Sequence, residues 1–292
     1  MWLTSISPAT GRADLVPYRR AVADVLAEVV GHRGAHDPLA AEAVLSRRLG
    51  DPEIAAVLSA TPAGLLGAAG QLAAGVRSYQ PGAAGSEAGL TALIRSYLLA
   101  QIDAMWWGNT PTYATDATVR RAADLVELEP LRSAGRLGFR YRRQAETRLA
   151  RAARRAWPDR TPRVPGLRLS CARPEVVALL NQISGELTAA APLDMPVLWV
   201  TSLVRSVAHQ QHLRSLSQAV MLPSSHCAGY AMDIELSWSP RFDAHRVLQG
   251  LLLDRQDRGD INIIETDQGW HLCISPAATA GLRRAYEAEA AG

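Results

Sequence analysis

The amino-acid sequence predicts an α+β protein: an all-α first half precedes a C-terminal domain in which a small antiparallel sheet is flanked by helices. Three observations carry that prediction. Apolar residues recur at three- and four-residue spacing from residue 12 to about 157, as in Leu15, Val22, Val25, Leu26 and Val29, and again in Leu90, Leu93, Ile94, Leu98 and Ile102. The stretch Trp157-Pro-Asp-Arg-Thr-Pro-Arg-Val-Pro-Gly166 then places three prolines in ten residues, the composition of a linker. Beyond it, strand-like runs alternate with helical ones. The 292 residues therefore divide into a helical domain over 1–157, a linker over 158–166 and a second domain over 167–292.

In the first half, Asp37-Pro38, Asp51-Pro52 and Thr61-Pro62 each set a capping side chain before a proline, which predicts three helix starts. Residues 132–155 carry Arg132, Arg136, Arg140, Arg142, Arg143, Arg148, Arg151, Arg154 and Arg155 against the single acid Glu146. With few aromatics among them, these arginines read as a solvated helix face rather than a nucleic-acid surface. In the second half the expected order is a helix over 174–190, a strand over 197–202, a helix over 207–220, a strand over 230–238 and a helix over 240–258. A hairpin of strands 261–266 and 270–275 around Asp-Gln-Gly follows, and a helix over 276–290 ends the chain.

Composition excludes several classes. A hydrophobic fraction of 48% and a charged fraction of 20% belong to a folded chain rather than a disordered one. All 31 basic residues are arginine, which fits a GC-rich bacterial, actinobacterial-type codon usage and weakens any argument from arginine clusters. The net charge of only +3 makes nucleic acid an unlikely partner. No basic-then-apolar leader opens the sequence, and the best apolar run, 62–76, is interrupted by Gln71 and falls short of the roughly 20 residues of a membrane span. Three cysteines, Cys171, Cys227 and Cys273, lack zinc-finger spacing and suit a reducing compartment, so the expected location is cytoplasmic, with no membrane partner.

The chemistry concentrates in Pro223-Ser-Ser-His-Cys-Ala-Gly-Tyr-Ala-Met-Asp-Ile-Glu235. His226 and Asp233 are candidate metal ligands, since Gly229 permits a tight turn and Ala231 keeps the entering strand small. A catalytic zinc takes three protein ligands and keeps one position open, and His271 is the third candidate. Ser224-x-His226-x-x-Gly229-x-Ala231-x-Asp233 resembles the first zinc motif of the D-alanyl-D-alanine carboxypeptidase and dipeptidase family, the metallopeptidases of peptidoglycan that share their fold with the hedgehog signalling domain. Trp270-His271 is similar to the end of that family's Glu-x-Trp-His motif, and Ser202-Leu-Val-Arg205-Ser206-Val-Ala-His-Gln210 to its Ser-x-x-Arg-Ser-x-x-x-Gln segment. The resemblance spans residues 196–275 and does not touch the first 165.

That resemblance implies Zn2+ held by His226, Asp233 and His271, with Arg205 clamping the substrate carbonyl and Ser224, Gln210 and Trp270 lining the substrate site. Zinc held in this way lowers the pKa of a bound water toward about 7. One departure matters. The family's general base stands three residues before the last histidine, where this chain has Gln268. Glu265 is the expected replacement: if Asp267-Gln268-Gly269 is a three-residue loop, Glu265 faces His271 across the hairpin, with Cβ atoms about 5 Å apart. If the loop is Gln268-Gly269 instead, Thr266 faces His271 and Glu265 turns to the other side.

The remaining polar residues read blandly. His209 and His212 lack a third ligand, Cys227 and Cys273 read as small buried fillers, and Asp243 and His245 as helix-start polarity. Trp106-Trp107 reads as core or domain interface. The expected activity is a zinc-dependent hydrolase cleaving an amide or peptide bond of a small peptide or peptide-like metabolite, with the helical half shaping the pocket or forming a homo-oligomer. A non-hydrolytic zinc-containing binding module of the same fold is the rival that Gln268 favours, and a secondary-metabolite biosynthetic enzyme reusing the site is another.

Overall fold

The computed structural model describes residues 14–31, 37–80, 89–144, 166–190, 198–216, 224–235, 244–266 and 269–291. Most of the expected linker, 158–165, and the hairpin residues Asp267 and Gln268 lie outside these.

Five helices build the first unit: α1 (Val16–Gly31), α2 (Pro38–Arg48), α3 (Pro52–Ser59), α4 (Gly64–Arg77) and α5 (Gly89–Trp107). Their apolar stripes meet in one core around Val25, Leu45, Leu58, Leu72, Leu98 and Ile102. Asp37 caps α2 as expected, its carboxylate accepting from the Leu39 and Ala40 amides. At α3 the Asp51 side chain makes no cap bond and accepts instead from Arg48 Nε. Thr61-Pro62 departs from expectation: Thr61 Oγ1 donates to Leu58 O at the end of α3, and α4 begins only at Gly64. Among the described residues no single helix is long and apolar enough to cross a membrane. The α3–α4 pair, which reaches that apolarity only in combination, bends by 100°.

A short connecting segment holds α6 (Asp116–Arg120), β1 (Val126–Glu127), α7 (Leu128–Ser133) and β2 (Arg140–Tyr141). Here the helical reading of the first half is corrected. Leu128, Leu131, Phe139 and Tyr141 are buried in the core of the second unit, and β2 is an edge strand of its sheet. Too few residues separate these elements for a helical period to show. Of the arginines in this stretch, Arg132 pairs with Glu129, Arg136 donates to Glu289 O and Arg142 lies over the Trp199 ring. Residues 145–155 lie outside the described residues.

The second unit adds β3 (Cys171–Ala172), α8 (Pro174–Ala190), β4 (Trp199–Ser202), α9 (Val207–Leu216), α10 (Ser225–Ala228), β5 (Ala231–Glu235), α11 (Ala244–Asp257), β6 (Ile261–Thr266), β7 (Gly269–Ile274) and α12 (Pro276–Ala291). β1 and β3 pair antiparallel, while the main sheet runs β2-β4-β5-β7-β6, parallel at β2–β4 and antiparallel elsewhere. The whole is a mixed α+β structure.

Both faces of the sheet are buried, for different reasons. Met232, Ile234, Ile263, Trp270 and Leu272 point into the second unit's own core, where α8, α11 and α12 pack together. The opposite face carries Asp233, His271 and Asn262, and α5 lies against it along β6. The two units are therefore joined at the face that carries the polar residues.

Candidate metal centre

His226 sits in the single-turn α10, which ends on Gly229 in the left-handed region at φ 83°. The left-handed turn itself calls for glycine, and a Cβ there would also crowd the Arg173 side chain, with Nε at 3.2 Å. The turn leads directly into β5, and main-chain bonds from Arg205 N to His226 O and from Tyr113 N to Cys227 O hold it in place. Asp233 and His271 are direct cross-strand partners of β5 and β7, and so share one face. The result is that His226, Asp233 and His271 offer ligand atoms all within 4.8 Å of one another, a group that could hold a metal ion.

The hydrogen bonds around this group fix which atoms face inward. His226 Nδ1 lies 2.7 Å from Leu203 O, which can only accept, so the proton sits on Nδ1 and Nε2 presents a lone pair. Burial, reinforced by the Arg205 charge, pushes the His226 imidazole down to about 4, which keeps it neutral. Yet Nε2 stands 3.2 Å from Asp233 Oδ1, lone pair against lone pair. His271 Nε2 lies 2.8 Å from Asp103 Oδ2, and its Nδ1 lies 2.9 Å from Asp233 Oδ1.

Burial opposes a charge on His271, but hydrogen bonds to Asp103 and Asp233 and their negative charges outweigh it and raise this imidazole to about 10. Burial likewise opposes ionisation of Asp233, and the Arg205 guanidinium together with the hydrogen bond from His271 overcomes it, holding the carboxyl well below its usual range. Three electron-pair donors thus converge on one point, with a proton on His271 Nδ1 as the cation that the metal-free protein supplies. Donors about 3.3 Å apart are what a tetrahedral ion with bonds near 2.0–2.1 Å needs.

Arg205 belongs to the same cluster. Its Nη2 donates to Asp233 Oδ2 at 2.7 Å, its Nε to Ser202 Oγ at 2.8 Å and its Nη1 to Gln210 Oε1 at 3.2 Å. Gln210 is buried and acts on Arg205 rather than lining an open surface. Ser224 precedes α10, makes no side-chain cap bond and uses its carbonyl to accept from Cys227 N.

Two expectations are overturned by the hairpin register. Thr266 pairs with Gly269 and Glu265 with Trp270, a pairing that matches neither loop anticipated from the sequence. Ile264, not Glu265, faces His271, so Glu265 lies on the far side of the sheet and cannot serve as the base there. Trp270 is on that far side too, buried in the core, and so does not line the site. On the metal-facing side the register places Glu235, two residues beyond Asp233 and opposite Gly269.

Asp103 is the residue that the sequence reading missed. It is only 4% exposed in α5, and its carboxylate accepts from His271 Nε2, Ser225 Oγ and Asn262 Nδ2. The sequence did carry a trace of it: Arg95 and Asp103 are the only charged residues of α5 and stand two four-residue steps apart with Leu99 between them. All three meet β6: Arg95 Nη2 donates to Glu265 O, and Asn262 Nδ2 donates to both Leu99 O and Asp103.

The other polar candidates stay outside the ligand group. Burial pushes the Cys227 thiol up to about 11 and, with Asp103 nearby, the Cys273 thiol well above its usual value, so both remain protonated fillers. His209 is lowered by burial and by the Arg168 charge, and His245 stands near Trp270 on the far side. Trp107 donates Nε1 to Ile274 O and stacks on Tyr230 at 3.7 Å, an interface role. Comparisons of the chain with protein-family models, with curated proteins and with solved structures find no match.

Proposed function

We propose that this protein is a zinc-dependent hydrolase that cleaves an amide or peptide bond in a small peptide or peptide-like molecule. The observation that carries the reading is the convergence of three ligand-type atoms, from His226, Asp233 and His271, each oriented by a partner on its outer side. Two imidazoles and one carboxylate form a donor set suited to zinc with a position left open for water. Bound there, zinc would supply Lewis acidity, lowering the pKa of water and polarising a carbonyl.

The chain's own residues do the rest. Leu203 O and Asp103 hold the outer protons of His226 and His271, so that His226 Nε2 faces the ion bare and His271 Nδ1 would do so on giving up its proton. Arg205 holds Asp233 Oδ2 and keeps about a fifth of its side chain open, at 18% exposure, for a substrate oxygen. Proton transfer to a leaving amine needs a carboxylate on the metal-facing side, and the strand register offers Glu235 there in place of Glu265. The local motifs around His226, Arg205 and His271 resemble those of the D-alanyl-D-alanine peptidases, which favours a substrate with a peptide bond near a free carboxylate.

Metal analysis of protein purified without added metal tests the reading. About one zinc per chain, lost in His226→Ala and in His271→Ala with folding retained, is the expected result, and hydrolysis of dipeptides is then assayed on the loaded protein. An absence of bound zinc in the unmodified protein, even after zinc is supplied, sinks it.

A further inference from the structure

The helical unit carries none of the motifs that surround His226, Arg205 and His271. Asp103 is a residue of that unit, yet every side chain it bonds lies in the second one: His271 in β7, Asn262 in β6 and Ser225 in α10. Both carboxylate oxygens are used, Oδ2 toward His271 and Ser225 and Oδ1 toward Asn262. The contact is not incidental packing. A carboxylate buried this deeply is costly unless fully hydrogen-bonded, and here three donors from three elements satisfy it.

We infer that the helical unit is a working part of the metal centre: Asp103 is a positioning residue for His271, and metal occupancy and the docking of α5 on the sheet strengthen one another. The inference rests on the metal reading above. As a group that only accepts, the Asp103 carboxylate holds the proton of His271 on Nε2 and leaves Nδ1 bare toward the ion, and its charge makes the imidazole a stronger donor.

The surrounding contacts make the coupling mechanical as well as electrostatic. Asn262, fully buried, ties Asp103 to Leu99 O and accepts from Arg19 Nη2, so two helices of the first unit bear on one β6 side chain. Arg95, about two turns before Asp103, anchors the same helix to Glu265 O, and Trp107 closes the other end on Ile274 O. The docking is thus polar and directional, so a change in the position of α5 moves the carboxylate that orients His271. By linkage, whatever docking contributes to metal affinity, metal returns to docking.

The test measures zinc affinity at fixed pH by competition with a chromogenic chelator, on the full chain and on Asp103→Asn, with the visible spectrum of the cobalt(II) forms recorded beside it. Asp103→Asn keeps the size and an acceptor oxygen but removes the charge. It should bind zinc about 10- to 100-fold more weakly and shift the cobalt bands. In parallel, hydrogen exchange on the unmodified protein should show that zinc protects residues 99–107 as well as 226–233 and 269–273. This second measurement decides the matter if Asp103→Asn does not fold.

Equal zinc affinity and identical cobalt spectra in the two proteins would overturn the inference and leave the metal reading standing. So would zinc protection confined to 226–233 and 269–273. Failure of the unmodified protein to bind zinc removes the metal reading and this inference together.

Discussion

Metal-free protein should lose stability as the pH rises above neutrality, and the loss should come from one imidazole. Asp103 and Asp233 raise His271 to about 10 in the folded chain, against an ordinary value of 6.5. A group whose pKa is higher when folded stabilises the fold fully below the unfolded value, and that stabilisation drains as pH climbs toward the folded one. For His271 the window is therefore 6.5 to about 10. Each pH unit inside it is worth about 1.4 kcal/mol, so the change from pH 6.5 to 8.5, allowing for partial titration at the lower end, is roughly 2 kcal/mol. The cysteines of the unfolded chain, with an ordinary pKa of about 8.5, begin to ionise in the same range, and the reference variant subtracts their contribution. The assay is denaturant unfolding of chelator-treated protein at several pH values, with His271→Gln as the reference that lacks the group. Added zinc should reverse the trend, because zinc displaces the Nδ1 proton and its affinity rises with pH over the same window. A midpoint that is flat from pH 6.5 to 8.5, or that falls equally in His271→Gln, would refute the assignment of a proton shared between Asp103, His271 and Asp233.

Two further outcomes follow from the hairpin register. Trp270→Ala should cost about 3–5 kcal/mol in denaturant unfolding, as a core truncation, whereas Glu265→Gln should stay within about 0.5 kcal/mol and keep its full zinc content. A Glu265→Gln variant that binds zinc and folds but has lost dipeptide hydrolysis would show that Glu265 reaches the metal-facing side after all. Gly269→Ala should release zinc and lower the melting temperature, because a Cβ at Gly269 would stand 2.0 Å from Ile234 O and the pairing that sets His271 beside Asp233 has to shift. Normal zinc content in that variant would contradict the register.

What was legible in the sequence followed the range of the contacts. The turn from His226 to Asp233 is local: a short helix, a left-handed glycine and the first residues of a strand bring the two ligands together, and all of it is written in eight consecutive residues. Helices with one apolar face were equally readable. Pro174–Ala190 has the bounds that its spacing predicts, and α11 and α12 end within a residue of expectation. The stretch 126–141 failed for want of length, since two-residue strands and a six-residue helix carry no period to read.

The hairpin failed for a different reason, and that reason is the same one that hid Asp103. Period-two alternation reports a register only when one face of a strand meets solvent. In β6 the run Ile261-Asn262-Ile263-Ile264 is buried on both sides, Ile263 against the second unit's core and Asn262 and Ile264 on the face that α5 covers. An isoleucine suits either face, so the alternation that would have shown Glu265 pointing away from His271 is erased by the helix lying over it. The one residue in this run that breaks the apolar pattern, Asn262, is the partner of Asp103 and Leu99. A buried asparagine in an isoleucine strand and the one buried acid of a largely apolar helix are each costly alone and satisfied together. Two such unexplained polar residues, 159 positions apart, are the trace that a covered sheet face leaves in a sequence.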